Sequence, residues 1–230
     1  GSKTTDRAFS YVTQNSTIGL LDILGDGSAL SLHQLNNSYN QTGSGTGNLS
    51  NSGTSFTSTA KFGSHSLDLR GDGNYVDITN TTRVYSCSAW MYIPSDTTGQ
   101  DNDEYFFEFR HDSPGNGRSY LYQQQPTVGG KEMCFNLSTD STASNQTGKL
   151  FINGTQHTSG AFNFDANTWY HICVVVNNPG DVKQTWNEGI RFGNRSDSTS
   201  GGNPGLIDQI RTFNKSLSDA EVLTLYNEVE

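Results

Sequence analysis

The chain has 230 residues and is 32% apolar, or about 43% once its 25 glycines are counted, which is close to an ordinary globular domain and excludes a disordered one. Its longest apolar run, around Ile172 to Val176, is about six residues against the ~20 of a membrane helix, so no membrane insertion is expected. A formal charge of -9 excludes the basic footprint of a nucleic-acid binder and of a protein drawn to an anionic membrane.

Gly1-Ser2 resembles a tag-cleavage scar and is set aside. Residues 1–27 hold scattered apolar positions and read as an N-terminal extension or tether ahead of one domain over 28–230. From Ala29 onward the hydrophobic pattern has period two. It predicts strands at Ala29 to Leu35, Ser66 to Arg70, Tyr75 to Ile78, Cys87 to Ile93, Tyr105 to Arg110 and Tyr120 to Gln124. Further strands are predicted at Met133 to Leu137, Lys149 to Ile152, Trp169 to Asn177, Gly189 to Gly193 and Leu206 to Phe213. Ser38 to Thr59 and Asn194 to Pro204, dense in Gly, Asn and Ser, read as loops. Gly71-Asp72-Gly73-Asn74 and Asn153-Gly154 read as hairpin turns. One helix closes the chain. Ser218 is its N-cap and Glu221 completes a capping box. Leu217 and Val222 can staple its start, while Val222, Leu225 and Tyr226 share a face. The fold class is therefore all-β: a two-sheet antiparallel sandwich, or jelly roll, with a short C-terminal helix.

Cys87, Cys134 and Cys173 sit in apolar strand contexts and read as buried, inert thiols. The five histidines show no metal-ligand spacing, and His171 reads as a structural imidazole. Arg70-Gly71-Asp72 spells an integrin-type tripeptide, but turn chemistry already accounts for it. Glu104 and Glu108 share a strand face about 13 Å apart, with Phe106 between them. That exceeds the roughly 5–9.5 Å of a glycosidase carboxylate pair, so catalysis is not expected there. Glu108 and Arg110 read instead as a surface ion pair.

The C-terminal stretch Gly205-Leu206-Ile207-Asp208-Gln209-Ile210-Arg211-Thr212-Phe213-Asn214-Lys215-Ser216-Leu217-Ser218-Asp219-Ala220-Glu221 carries a more specific signal. It resembles the end of the laminin-G-like jelly roll, in the concanavalin A-like lectin/glucanase superfamily. Lys61 to Leu69 with Gly71 to Ile78, Ser86 to Tyr92, and Thr168 to Val175 resemble three more stretches of that family, in order. The segment from Gly25 to Asn37 is similar to such domains on bacteriophage tail and virion proteins. The family's hairpin after the Trp169 strand is absent. Its nearest match, Leu150 to Gly154, precedes Trp169 instead.

The resemblance implies a non-catalytic glycan-binding or adhesion domain on a virion surface, hence extracellular. Its partner would be a carbohydrate or host-surface glycan. The alternatives are a structural decoration module packed on other virion subunits, and a glycan-cleaving enzyme. A homo-oligomer fits such a protein, although no heptad or collagen-like stem encodes one. The family's structural calcium would fall between Asp208 and Asn40; equally, Asp208 could only hydrogen-bond the early loop. For sugar stacking and hydroxyl recognition, the candidates are Tyr120, Tyr122 and Gln124 on one strand face, Glu108 and Arg110 nearby, and Trp186 in a polar stretch. Tyr120 and Tyr122 could equally be core, with Leu121 pointing outward.

Overall fold

The computed structural model describes residues 21–40, 43, 46–71, 73–80, 84–94, 104–110, 118–124, 132–137, 148–157, 162, 164–176, 189–193 and 205–228. Among the described residues, fourteen strands and one helix run in the order β1 (Ala29–His33), β2 (Thr46–Ser52), β3 (Ser55–Thr57), β4 (Ser66–Asp68), β5 (Tyr75–Asn80), β6 (Ser86–Ile93) and β7 (Glu104–Arg110). Then follow β8 (Arg118–Gln124), β9 (Glu132–Leu137), β10 (Gly148–Ile152), β11 (Thr155–His157), β12 (Thr168–Val176), β13 (Gly189–Gly193), β14 (Leu206–Phe213) and α1 (Asp219–Tyr226).

They form two antiparallel sheets. The eight-stranded sheet has the order β11-β10-β12-β6-β14-β4-β3, with β1 also paired to β14. The six-stranded sheet has the order β2-β5-β13-β7-β8-β9. Their facing sides supply one core. Cys87, Ala89, Met91, Ile172, Val174, Ile207 and Ile210 come from the first sheet, and Leu49, Val76, Ile78, Leu121, Ile190 and Phe192 from the second. This is the expected all-β sandwich, and every predicted strand is present.

Two readings of the loops are corrected. Ser38 to Thr59 contains β2 and β3. β2 lies at the edge of its sheet, so one buried apolar residue, Leu49, suffices to seat it, and the Ser/Asn-rich remainder hid it. The Gly71–Asn74 turn does form, with the Asn74 N–H donating to the Gly71 carbonyl. It is not a hairpin, however, because β4 and β5 belong to different sheets. Asn153-Gly154 is the hairpin expected, both residues having positive φ (50° and 75°) between the paired β10 and β11.

β14 is buried along its whole length, with all eight residues inside. It pairs β6 along one side. On the other it pairs β4 through Leu206 and Ile207, then β1 through Ile210 to Phe213. The change of partner falls on a bulge between Asp208 and Arg211, where Gln209 takes φ +48°.

The helix docks on the outer side of the eight-stranded sheet. Phe151, Cys173, Val175, Phe213, Leu217, Val222 and Leu225 make a second apolar cluster there. Ser218 and Glu221 form the capping box, and Leu217 and Val222 are both buried, as a staple requires. An eight-residue helix is too short to hold itself, so this burial is what keeps it folded. Ile23 and Leu24 pack on the same cluster, and Asp26 pairs with Lys215. The described part of the N-terminal segment is therefore seated on the sandwich from residue 21.

Candidate functional site

The outer side of the six-stranded sheet holds the polar residues that the alternating strands turn away from the core. The registers align Ser50, Asp77, Arg191, Glu108, Tyr120 and Asn136 in one row across all six strands. The neighbouring row aligns Asn51, Val76, Phe192, Phe107, Leu121 and Phe135, and its Val76, Phe192 and Leu121 are fully buried in the core. Leu121 therefore points into the core, which puts the Tyr120 and Tyr122 positions on the outer face.

Arg191 is the centre of the row. Its Nε and Nη2 donate to the two carboxylate oxygens of Asp77, at 2.8 and 2.7 Å. Its guanidinium carbon stands 3.8 Å over the ring of Tyr75, a cation–π contact. Only 12% of the Arg191 side chain and 14% of Asp77 reach solvent. Burial opposes the charge on Arg191, while the hydrogen bond and charge of Asp77 and the charge of Glu108 favour it, and the balance lifts the guanidinium above its ordinary pKa. A fork held along one edge by both oxygens of a carboxylate and against an aromatic face is fixed in place. That fixing is what a recognition group needs.

Glu108 departs from expectation. It is 1% exposed rather than on the surface, and its charge supports Arg191 from within the row. The expectation that it shares a strand face with Glu104 also fails. A bulge between Tyr105 and Phe107 puts Glu104 opposite Gln123 and Glu108 opposite Tyr120. Those partners are three residues apart, so the two glutamate positions fall on opposite faces. Phe106 is fully buried in the core.

Arg110, Tyr122 and Gln124 take strand positions on this outer side, Arg110 two residues beyond Glu108, and Tyr122 and Gln124 in step with Tyr120. Trp186 lies outside the described residues. The register thus brings Glu108, Arg110, Tyr120, Tyr122 and Gln124 to one face. The sequence reading missed Tyr75, Asp77 and Arg191. Their signal was a polar or amphipathic residue at alternate positions of two apolar strands, Tyr75-Val76-Asp77-Ile78 and Ile190-Arg191-Phe192. Only the β5–β13–β7 pairing shows that they meet.

Asp208 is fully buried, and its Oδ2 accepts from the backbone N–H groups of Lys61 and Phe62, at 2.9 and 3.0 Å, which ties residues 61–62, rather than the Asn36–Gly43 loop, to β14 through these bonds. Asn40 is exposed, and its backbone N–H donates to Ser38 Oγ. Among the described residues no group of three or more His, Cys, Asp or Glu side chains could hold a metal ion. These residues do not fit the many-oxygen shell that calcium takes. We expect the melting temperature to be the same with and without a calcium chelator. A chelator-induced drop that calcium reverses would return the ion to this loop.

Cys87 and Cys173 are free and buried, and burial raises both thiols well above the usual range. Cys134 has no described side chain. Arg70 is held by Asp68 through two hydrogen bonds of 2.9 and 2.6 Å, and Asp72 lies outside the described residues. Trp90 is buried under the helix, stacked on Tyr226 (5.9 Å between centroids), and Trp169 packs on Tyr92 (5.4 Å).

No family model matches the chain, and no curated protein matches it in sequence. Solved structures do resemble it. One is a mutant of Trypanosoma rangeli sialidase displaying trans-sialidase activity, at 11% identity and a TM-score of 0.50, over 86% of this chain and 32% of that one. The likeness is one of fold. Domain 4 of AbnA, a GH43 extracellular arabinanase from Geobacillus stearothermophilus solved with arabinotriose, aligns at 15% identity and a TM-score of 0.49, over 87% of this chain and all of that domain. The binding domain of botulinum neurotoxin serotype D aligns at 16% identity and a TM-score of 0.40, over 86% of this chain and 51% of that one. The chain thus spans about a third of the sialidase and about half of the toxin fragment.

Proposed function

We propose that the protein is a non-catalytic glycan-binding or adhesion domain, and that the outer face of its six-stranded sheet is the binding face. The observation that carries this is the fixed Tyr75–Arg191–Asp77 group in a row of polar positions that also includes Tyr120 and Asn136. A tyrosine ring offers a stacking surface, and carboxylate and guanidinium groups take hydroxyls as acceptor and donor. The separation of Glu104 from Glu108 supports the absence of catalysis there. The virion surface is the setting the sequence resemblance suggests, through Gly25 to Asn37 and the C-terminal signature. Capsid or tail genes beside the coding sequence are the check on that setting.

The test is a glycan array with the intact chain. Binding to at least one glycan class is expected, and Arg191→Gln should weaken it about tenfold or more. Tyr75→Phe, which keeps the ring, should preserve most of it. Silence across the array would overturn the reading in favour of a decoration module. Release of reducing sugar from mixed polysaccharides would overturn it in favour of an enzyme.

A further inference from the structure

We infer that Asn74 is the positioning residue of the binding face: its clamped amide sets where the Tyr75 ring lies against the Arg191 guanidinium. This rests on the reading of the face as a glycan site and names what holds that site in register.

Asn74 ends the crossing from β4, in the eight-stranded sheet, to β5, in the six-stranded one. Its backbone N–H donates to the Gly71 carbonyl, and its Nδ2 donates to the Arg70 carbonyl at 2.6 Å. Three glycines from three segments close on it. A Cβ at Gly53, in the crossing from β2 to β3, would land on Asn74 Oδ1. One at Gly71 would stand 2.8 Å from Nδ2, and one at Gly193, the last residue of β13, 2.5 Å from the Asn74 carbonyl oxygen. Approaches this close need glycine. Two crossings between the sheets and the end of β13 therefore meet at one asparagine. The grip reaches the face through the next residue. Tyr75 lies directly opposite Gly193, and Arg191 is two residues back along β13 on the same side. Asp77 fixes the Arg191 fork, but that ion pair does not fix the ring. The ring stands where the Asn74–Tyr75 backbone puts it, with its centroid 3.8 Å from the guanidinium carbon. A site keeps such geometry only when the residues behind it are themselves held.

The experiment compares two alanine variants of similar backbone strain. Gly53 and Gly73 have φ of +68° and +76°, so alanine is strained at both and each variant should melt lower. At Gly73 a Cβ meets nothing within 4 Å, whereas at Gly53 it meets the Asn74 amide. Only Gly53→Ala, with Asn74→Ala beside it, should weaken binding of the glycan found on the array, by about fivefold well below the melt. Gly73→Ala should stay within about twofold of the native chain. A second readout needs no ligand. The NMR signal of the Arg191 Nε–H group, identified by its loss in Arg191→Gln and shifted by the Tyr75 ring, should move in Gly53→Ala and Asn74→Ala and stay in Gly73→Ala. If Gly53→Ala fails to fold, Asn74→Ala carries the comparison. An Arg191 signal that stays in both Asn74-directed variants, or moves equally in Gly73→Ala, overturns this inference and leaves the glycan reading standing. Silence on every glycan overturns the glycan reading, while a moved Arg191 signal would still support Asn74 as the residue that orients the pair.

Discussion

Lowering the pH from 7.5 to 5 should cost the fold about 4 kcal/mol, before the ordinary carboxylates begin to titrate. The cause is two imidazoles kept neutral inside the protein. His33 is fully buried, neither ring nitrogen has a hydrogen-bond partner among the described residues, and burial holds its pKa down at about 4. His171 is 1% exposed and packs on Trp90 at 5.3 Å. Burial, aided by the positive charge of Arg211, takes its pKa to about 3. In the unfolded chain both would titrate near 6.5. Below that pH the unfolded state binds protons that the native state refuses. The stabilisation is therefore complete above pH 6.5 and is lost progressively as the pH falls toward the native values. Each histidine accounts for about half of the loss at pH 5, at roughly 1.4 kcal/mol per pH unit. Urea midpoints at pH 7.5, 6 and 5 measure it directly. His33→Leu should remove about half of the dependence. A midpoint that stays flat down to pH 5 would show that these rings are not the buried neutral groups described.

Breaking the ion pair between Arg211 and Glu228 should cost about 3–5 kcal/mol. The side chains of Arg211, on the bulged part of β14, and Glu228, just past the helix, are 2% and 3% exposed. Both guanidinium Nη atoms donate to the Glu228 carboxylate, Nη2 at 2.6 Å, and Nη1 also reaches Gln209 Oε1 at 3.3 Å. Arg211→Leu would leave a carboxylate buried without its counter-charge, whereas the pair itself is worth little against apolar residues of similar size. The double variant Arg211→Leu/Glu228→Leu should therefore recover most of the stability lost by Arg211→Leu alone. Denaturant melts of the three proteins test this. Hydrogen exchange should show the loss first in α1, whose last turn the pair ties to the sheet. Equal destabilisation in the single and double variants would refute the argument.

The fold was legible because each strand that lines the core alternates cleanly, and because Ser218, Glu221, Leu217 and Val222 write a complete helix start. β2, β3 and β11 were not legible. They lie at or beside sheet edges, and little apolar surface is needed to hold them there. The candidate face was half legible. Glu108, Arg110, Tyr120, Tyr122 and Gln124 stand on two sequence-adjacent strands, so local alternation grouped them. Arg191 and Asp77 are 114 residues apart, and nothing local announces that β13 lies between β5 and β7. Glu108 was misjudged for the same reason, since a carboxylate reads as surface until the arginine across the ladder is known.

The strand that changes partners at Gln209 also sets the order of events during synthesis. β1 leaves the ribosome long before β14, yet it must wait for residues 210–213 to complete its ladder, and β6 and β4 wait for the same strand. Until then their unmet edges invite pairing with neighbouring nascent chains. Closure comes from contacts spanning most of the polypeptide, such as Ser31 with Thr212, so the final collapse should be slow, and a chain cut short before Leu206 should accumulate as aggregate.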